Sequence, residues 1–118
     1  MTLEQFYAAV GGDYEQTLSR LPSEALVKKF VLKYVDDGTC KELAEAITNR
    51  DWATAFRAAH TLKGLAANLG LVQLGQAASA LTEALRGSDM QRASALYPET
   101  AAAYREACAA IGDLETDA

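Results

Sequence analysis

Apolar residues recur along this chain at spacings of three and four, the period of helices that each bury one face. Residues 2–10 read as a short helix capped by Thr2 and stopped by Gly11-Gly12. Asp13 caps a second short helix that ends at Leu21-Pro22. A longer helix is predicted from Ser23 to about residue 35, with Leu26, Val27, Phe30, Val31 and Tyr34 on one apolar side. Asp36-Asp37-Gly38 mark a point where it loosens or breaks, and Thr39 restarts a helix along Cys40, Leu43, Ala44 and Ile47. After a turn at Asn49-Arg50, Asp51 caps a helix over 52–69 that Gly70 closes. The next helix carries Leu71, Leu74, Ala78, Leu81 and Leu85 and stops at Gly87. Asp89 caps the last, which Pro98 is expected to kink or interrupt before it reaches about Ile111; the polar tail beyond Gly112 is expected to fray. No segment alternates with period two. Short turns between long amphipathic helices make consecutive neighbours antiparallel. The expectation is an all-α, antiparallel up-down-up-down four-helix bundle with one or two short N-terminal helices, forming a single domain over residues 1–118.

Composition agrees with that pattern and narrows the partners. Of 118 residues, 24 are alanine and only Pro22 and Pro98 are proline, a mixture of strong helix former and few breakers. Half the chain is hydrophobic, so a core is within reach. Eleven basic residues against sixteen acidic give a net charge of -5, with no basic stripe to suit nucleic acid or an anionic membrane surface. No run approaches the ~18 apolar residues of a membrane span, and the N-terminus has no signal-type apolar run, so a cytoplasmic protein is expected. Cys40 and Cys108 fall on apolar helical positions and read as reduced core residues. One histidine without suitably spaced carboxylates makes no metal site, and no cofactor is expected.

The helix over 52–69 departs from an ordinary amphipathic pattern. At roughly 100° per residue, Ala55, Ala58, Leu62, Leu65, Ala66 and Leu69 gather on one side as a core stripe. His60 points the opposite way, among Ala53, Phe56, Arg57, Lys63, Gly64 and Ala67. This outward face is a shallow floor of small residues carrying one imidazole, one ammonium and one exposed phenyl ring, where a solvated Lys/Glu surface is the usual pattern. Gly64 costs about 1 kcal/mol relative to alanine in a helix interior, and it lies on the wrong side of the wheel for packing by a neighbouring helix. Something is therefore expected to approach the backbone there. Imidazole is nucleophilic near neutral pH, and Lys63, one turn on, can stabilise the oxygens of a phosphoryl group carried by the ring. No carboxylate, serine or cysteine stands at helical spacing to complete a triad. The site can accept and hold a group but not carry out a full reaction alone.

His60-Thr61-Leu62-Lys63-Gly64, followed by Ala66, Asn68, Leu69 and Gly70, resembles the signature of histidine-containing phosphotransfer (HPt) domains. The resemblance extends to Gly11-Gly12-Asp13, the two helices over 52–69 and 71–86, and the turn at Gly87. It implies a phosphorelay intermediate. By that likeness His60 takes a phosphoryl group from the aspartyl phosphate of one receiver domain, in a hybrid histidine kinase or a response regulator, and passes it to another. Lys63 neutralises phosphate charge and Gly64 leaves clearance. Phe56, Arg57, Ala67 and Asn68 form the docking patch with residues of the next helix, Thr82 among them. Mg²⁺ is expected on the receiver only, and the chain is expected to be a monomer without autokinase activity. Many HPt domains place a glutamine on the adjacent helix near the histidine; counted from His60 that position is Thr82, with Gln76 more than a turn earlier. Two other readings compete with the carrier. One is a non-catalytic helical adaptor whose His60 face only binds protein. The other is an excised phosphotransfer domain of a chemotaxis-type kinase, against which Met1 and the lack of a trailing linker favour a free-standing protein.

Overall fold

The computed structural model describes residues 2–21, 23–34 and 38–116. The predicted stop at Pro22 and the break at Asp36-Asp37 fall outside them. Among the described residues there are seven helices and no strands: α1 (Leu3–Ala9), α2 (Tyr14–Arg20), α3 (Glu24–Lys33), α4 (Thr39–Thr48), α5 (Trp52–Leu69), α6 (Val72–Arg86) and α7 (Met90–Thr116). α5 lies between α4 and α6, and α6 packs on α7. Both α3 and α4 touch α5 and α7, so they share one side of the bundle, while α1 and α2 are the short helices ahead of it. None of the described helices is long and apolar enough to cross a membrane.

Three turns of one construction join the helices from α4 to α7. Each has a single residue in the left-handed region: Arg50 (φ 55°), Gly70 (φ 70°) and Ser88 (φ 58°). In each, that residue's N–H donates to a carbonyl three back, and the next N–H donates five back: Asp51 to Ala46, Leu71 to Ala66 and Asp89 to Ala84, all at 2.9 Å. This pair of hydrogen bonds satisfies the last carbonyls of one helix and lets the next begin after two or three residues. At two turns an aspartate then opens the next helix. The Asp51 carboxylate accepts from the Thr54 amide (3.3 Å) and hydroxyl (2.7 Å), and Asp89 accepts from the Arg92 amide (3.0 Å). The Thr54 hydroxyl, then its amide, hold the Asp51 carboxyl below the usual carboxylate range.

The core is built from Phe6, Tyr7, Tyr34, Leu43, Leu62, Leu71, Leu74, Leu81, Ile111 and Leu114, each under 2% or at 2% exposure. α5 contributes mostly alanines to it: Ala55, Ala58, Ala59 and Ala66 beside Leu62 and Leu69. Such a thin stripe lets α4 and α6 come close to α5 and leaves its opposite face at the surface. Cys40 is buried and Cys108 half-buried, and both are free thiols, as expected. Burial pushes Cys40 up to about 11.

Four expectations need correction. Pro98 does not interrupt α7, which is continuous through it. Pro98 and Ser94 one turn before it are both exposed, so the carbonyl that loses its amide partner can be hydrated. The segment past Gly112 is helical to Thr116, because Leu114 is buried in the core. Phe30 is 40% exposed, at the mouth of a cavity of about 460 Å³ lined also by Arg20, Lys33 and Leu65. Leu65, assigned to the core stripe of α5, is only partly buried.

The end of α5 is tied to both N-terminal helices. The Tyr7 hydroxyl donates to the Leu69 carbonyl (2.6 Å), the Asp13 amide to the Gly70 carbonyl (2.8 Å), and Arg20 Nη2 to the Ala67 carbonyl (2.8 Å). A Cβ on Gly70 would lie 1.9 Å from Thr17 Oγ1 and 2.9 Å from the Asp13 carbonyl oxygen. Gly70→Ala is therefore expected to lower the stability to urea unfolding by about 2–4 kcal/mol, from the left-handed backbone and the overlap together. A loss under ~0.5 kcal/mol, within the range of ordinary surface substitutions, would show that α5 does not need this anchor.

Candidate functional site

The core stripe of α5 fixes which of its residues meet solvent. Ala55, Ala58, Ala59, Leu62, Ala66 and Leu69 are buried, and His60, two residues before Leu62, is turned out and exposed. Ala53, Arg57, Thr61, Gly64, Ala67 and Asn68 are exposed around it. A Cβ built on Gly64 would meet nothing within 4 Å beyond its own helix. Close packing inside the chain is therefore not the reason for glycine at this position. The open space above it is free for another molecule.

Two residues of this face sit lower than expected. Phe56 is half-buried rather than an exposed ring, and Lys63 is half-buried against α6. The Phe56 ring stacks on the His60 imidazole, with centroids 6.1 Å apart and planes 29° apart. The Arg86 guanidinium carbon lies 5.2 Å from the Phe56 centroid. Arg57 turns along its own helix, donating from Nη2 to Thr54 Oγ1 at 3.2 Å.

Between α5 and α6 runs a shallow groove lined by Lys63, Ala67, Val72, Gly75, Gln76, Ser79, Ala80 and Glu83. Thr82 is not on it. Thr82 is fully buried and donates its hydroxyl to the Ala78 carbonyl at 2.7 Å, so its assignment as a docking residue is wrong. Counting along the chain fixes a position only to within a residue, and one residue on a helix turns the side chain by about 100°. Gln76 does line the groove, with Ser79 and Glu83 further along. Glu83 and Arg86 were not singled out from sequence. The signal was there: Val72, Gln76, Ser79, Glu83 and Arg86 follow one another at spacings of three and four, a second stripe beside the apolar one.

Chemically, the face offers an accessible imidazole, two nearby cations and clearance for a partner. No acid–base group among the described residues is hydrogen-bonded to the ring. Among the described residues no cluster of three or more His, Cys, Asp or Glu could hold a metal ion.

A family model described as the Hpt domain matches residues 37–114 of the 118. The chain belongs to the Hpt domain family. The match takes in all of α4, α5 and α6 and most of α7. Hpt domains are helical phosphocarrier modules without autokinase activity that act in histidine phosphotransfer in phosphorelays and interact with receiver domains. Comparison with curated proteins and with solved structures gave no match.

Within this Hpt domain the glycine on the site helix lowers stability without serving the fold. Gly64→Ala is expected to raise stability by about 0.5–1 kcal/mol and to increase helicity slightly, since the new methyl group meets no neighbour. Urea unfolding followed by circular dichroism checks this; a destabilised variant would mean that the glycine is required by the fold.

Proposed function

We propose that this chain is a phosphorelay intermediate in which His60 accepts a phosphoryl group from the aspartyl phosphate of one receiver domain and delivers it to the aspartate of another. The observation that carries the reading is the solvent-facing imidazole on a helix face of small residues, with Lys63 one turn away and open space above Gly64. In the transfer the lone pair of one ring nitrogen forms the N–P bond as the aspartyl P–O bond breaks. The carboxylate leaves with the bonding electrons, and the other ring nitrogen releases its proton to solvent. Lys63 stabilises the phosphoryl oxygens as a compact positive charge. Phe56, Arg57, Ala67 and Asn68 flank the ring on the side a receiver would approach, with the α6 groove beside them.

Mg²⁺ belongs to the receiver on this reading, and two docked proteins supply the in-line alignment. The chain then works as a monomer with no ATP chemistry of its own. An up-down-up-down order of α3/α4, α5, α6 and α7 suits the short turns between α4 and α7.

Incubation with a ³²P-phosphorylated receiver tests the assignment. The wild-type chain should take an acid-labile, alkali-stable label, and His60→Gln should take none. A wild-type chain that binds the receiver but stays unlabelled would make it an adaptor. Lys63→Ala should keep its fold and shorten the phosphohistidine half-life about threefold to tenfold, the range expected for one partly exposed charge contact. An unchanged half-life would remove Lys63 from the phosphate-binding role.

A further inference from the structure

The carrier reading leaves the end of α6 without a task, although it reaches the histidine through a continuous stack. Arg86 lies over Phe56, and Phe56 lies against His60. Arg86 Nε is also 3.4 Å from Glu83 Oε1, with the two side chains 54% and 58% exposed. Glu83 lines the same groove as Lys63. A carboxylate here is at first sight misplaced, because it would repel a phosphoryl dianion on His60. Its pairing with Arg86 gives it a purpose.

We propose that Glu83 and Arg86 form an exchangeable latch, in which the Glu83 carboxylate holds the Arg86 guanidinium until His60 is phosphorylated and the phosphoryl oxygens then take its place. This inference rests on His60 being the phosphoryl carrier. No covalent bond changes in the exchange; one anionic partner of the guanidinium replaces another.

Three features support it. The first is proximity: the guanidinium carbon and the imidazole centroid lie 5.2 Å and 6.1 Å from the same Phe56 ring centroid, and an arginine side chain can turn toward the imidazole about its own torsions. Phe56 contacts both groups, so it keeps the planar cation beside the imidazole. The second is strength. A pair three residues apart on an exposed helix face is weak and easily displaced, whereas a phosphoryl group offers more charge and an oxygen geometry that fits the guanidinium fork. The third is chemistry. Loss of a phosphoryl group from nitrogen proceeds through a loose transition state, in which charge leaves the phosphoryl oxygens. A cation held on those oxygens stabilises the phosphorylated ground state more than the transition state and slows spontaneous loss. Arg86 is thus a phosphate-binding residue, and Glu83 sets how readily it becomes available.

The test uses the full chain labelled by a phosphorylated receiver and then separated from it, with the phosphohistidine half-life as readout. R86A should shorten the half-life about threefold to tenfold, and R86K should restore part of it, since a point charge lacks the fork. E83Q should lengthen the half-life about twofold by freeing the guanidinium. In the E83Q/R86A double variant the effect of E83Q should be much smaller than in the wild-type background, because the carboxylate acts mainly through Arg86 and only its weak direct repulsion remains. A half-life unmoved by R86A, or an E83Q effect of equal size with and without Arg86, overturns the latch. A wild-type chain that takes no label at His60 overturns the carrier reading instead, so the two failures are distinct. E83Q leaves the Arg86–Phe56 contact in place, so its arm stays informative if R86A disturbs the packing of Phe56.

Discussion

The Asp13 amide donates to the Gly70 carbonyl, and the Tyr7 hydroxyl donates to the carbonyl of Leu69 next to it. These two bonds tie the last turn of α5 to helices at the other end of the sequence. They matter because α5 presents little bulk of its own to the core. Four of its six buried residues are alanines. A helix that meets its neighbours through methyl groups packs closely but resists rotation about its axis poorly, since no long side chain keys it into a groove. Rotation by one residue's worth would carry His60 toward a neighbouring helix. Leu62 and Leu69 give partial keying, and the carbonyl bonds at the C-terminal turn supply the rest. The glycine at 70 is what lets Asp13 come near enough to donate to its carbonyl, with Thr17, whose hydroxyl donates to the Asp13 carbonyl, packed beside it.

From that fixed rotation the character of the outward face follows. Small residues at 53, 64 and 67 keep the surface around the imidazole low, and Gly64 gives up some helix stability in doing so. The family match and the exposed imidazole agree with each other, yet they bear on different links of the chain of reasoning. The match identifies the kind of domain. The geometry says which atoms a partner could reach.

Much of this was legible in the residues. Caps and closures were unambiguous wherever aspartate or threonine preceded an apolar stripe and glycine followed it, so α5 was located to the residue, from Asp51 to Gly70. The orientation of His60 followed from the same stripe. Tertiary contact overrode local signals elsewhere. Pro98 read as a break, but an exposed proline in a long helix otherwise held by core contacts can be absorbed. Gly112 read as a stop, but Leu114 two residues later is buried and keeps the helix going. Thr82 failed for a different reason: the angular position of a residue on α6 relative to His60 depends on how the turn at Gly70 sets the next helix, which a residue count does not contain. The same ignorance hid the meaning of Arg86, which depends on lying beside Phe56, and of Glu83, which pairs with Arg86.

A carrier has to hold its group and also give it up, and this limits how strongly a site should bind. A buried ion pair around the phosphoryl group would make a sink, since removing either charge from its partner in a dry interior is costly. Exposed cations on the rim of a helix face act in high dielectric, where each contact is worth on the order of 1 kcal/mol and is screened by salt. On the proposed carrier reading, two such contacts would slow loss to water without outcompeting the acceptor aspartate of a docked receiver. The half-buried setting of Lys63, the exposed pairing of Arg86 with Glu83 and the open surface at Gly64 all lie in that weak regime. The shallowness of the site, which would be a defect in an enzyme that must exclude water, suits a domain whose group is meant to move on.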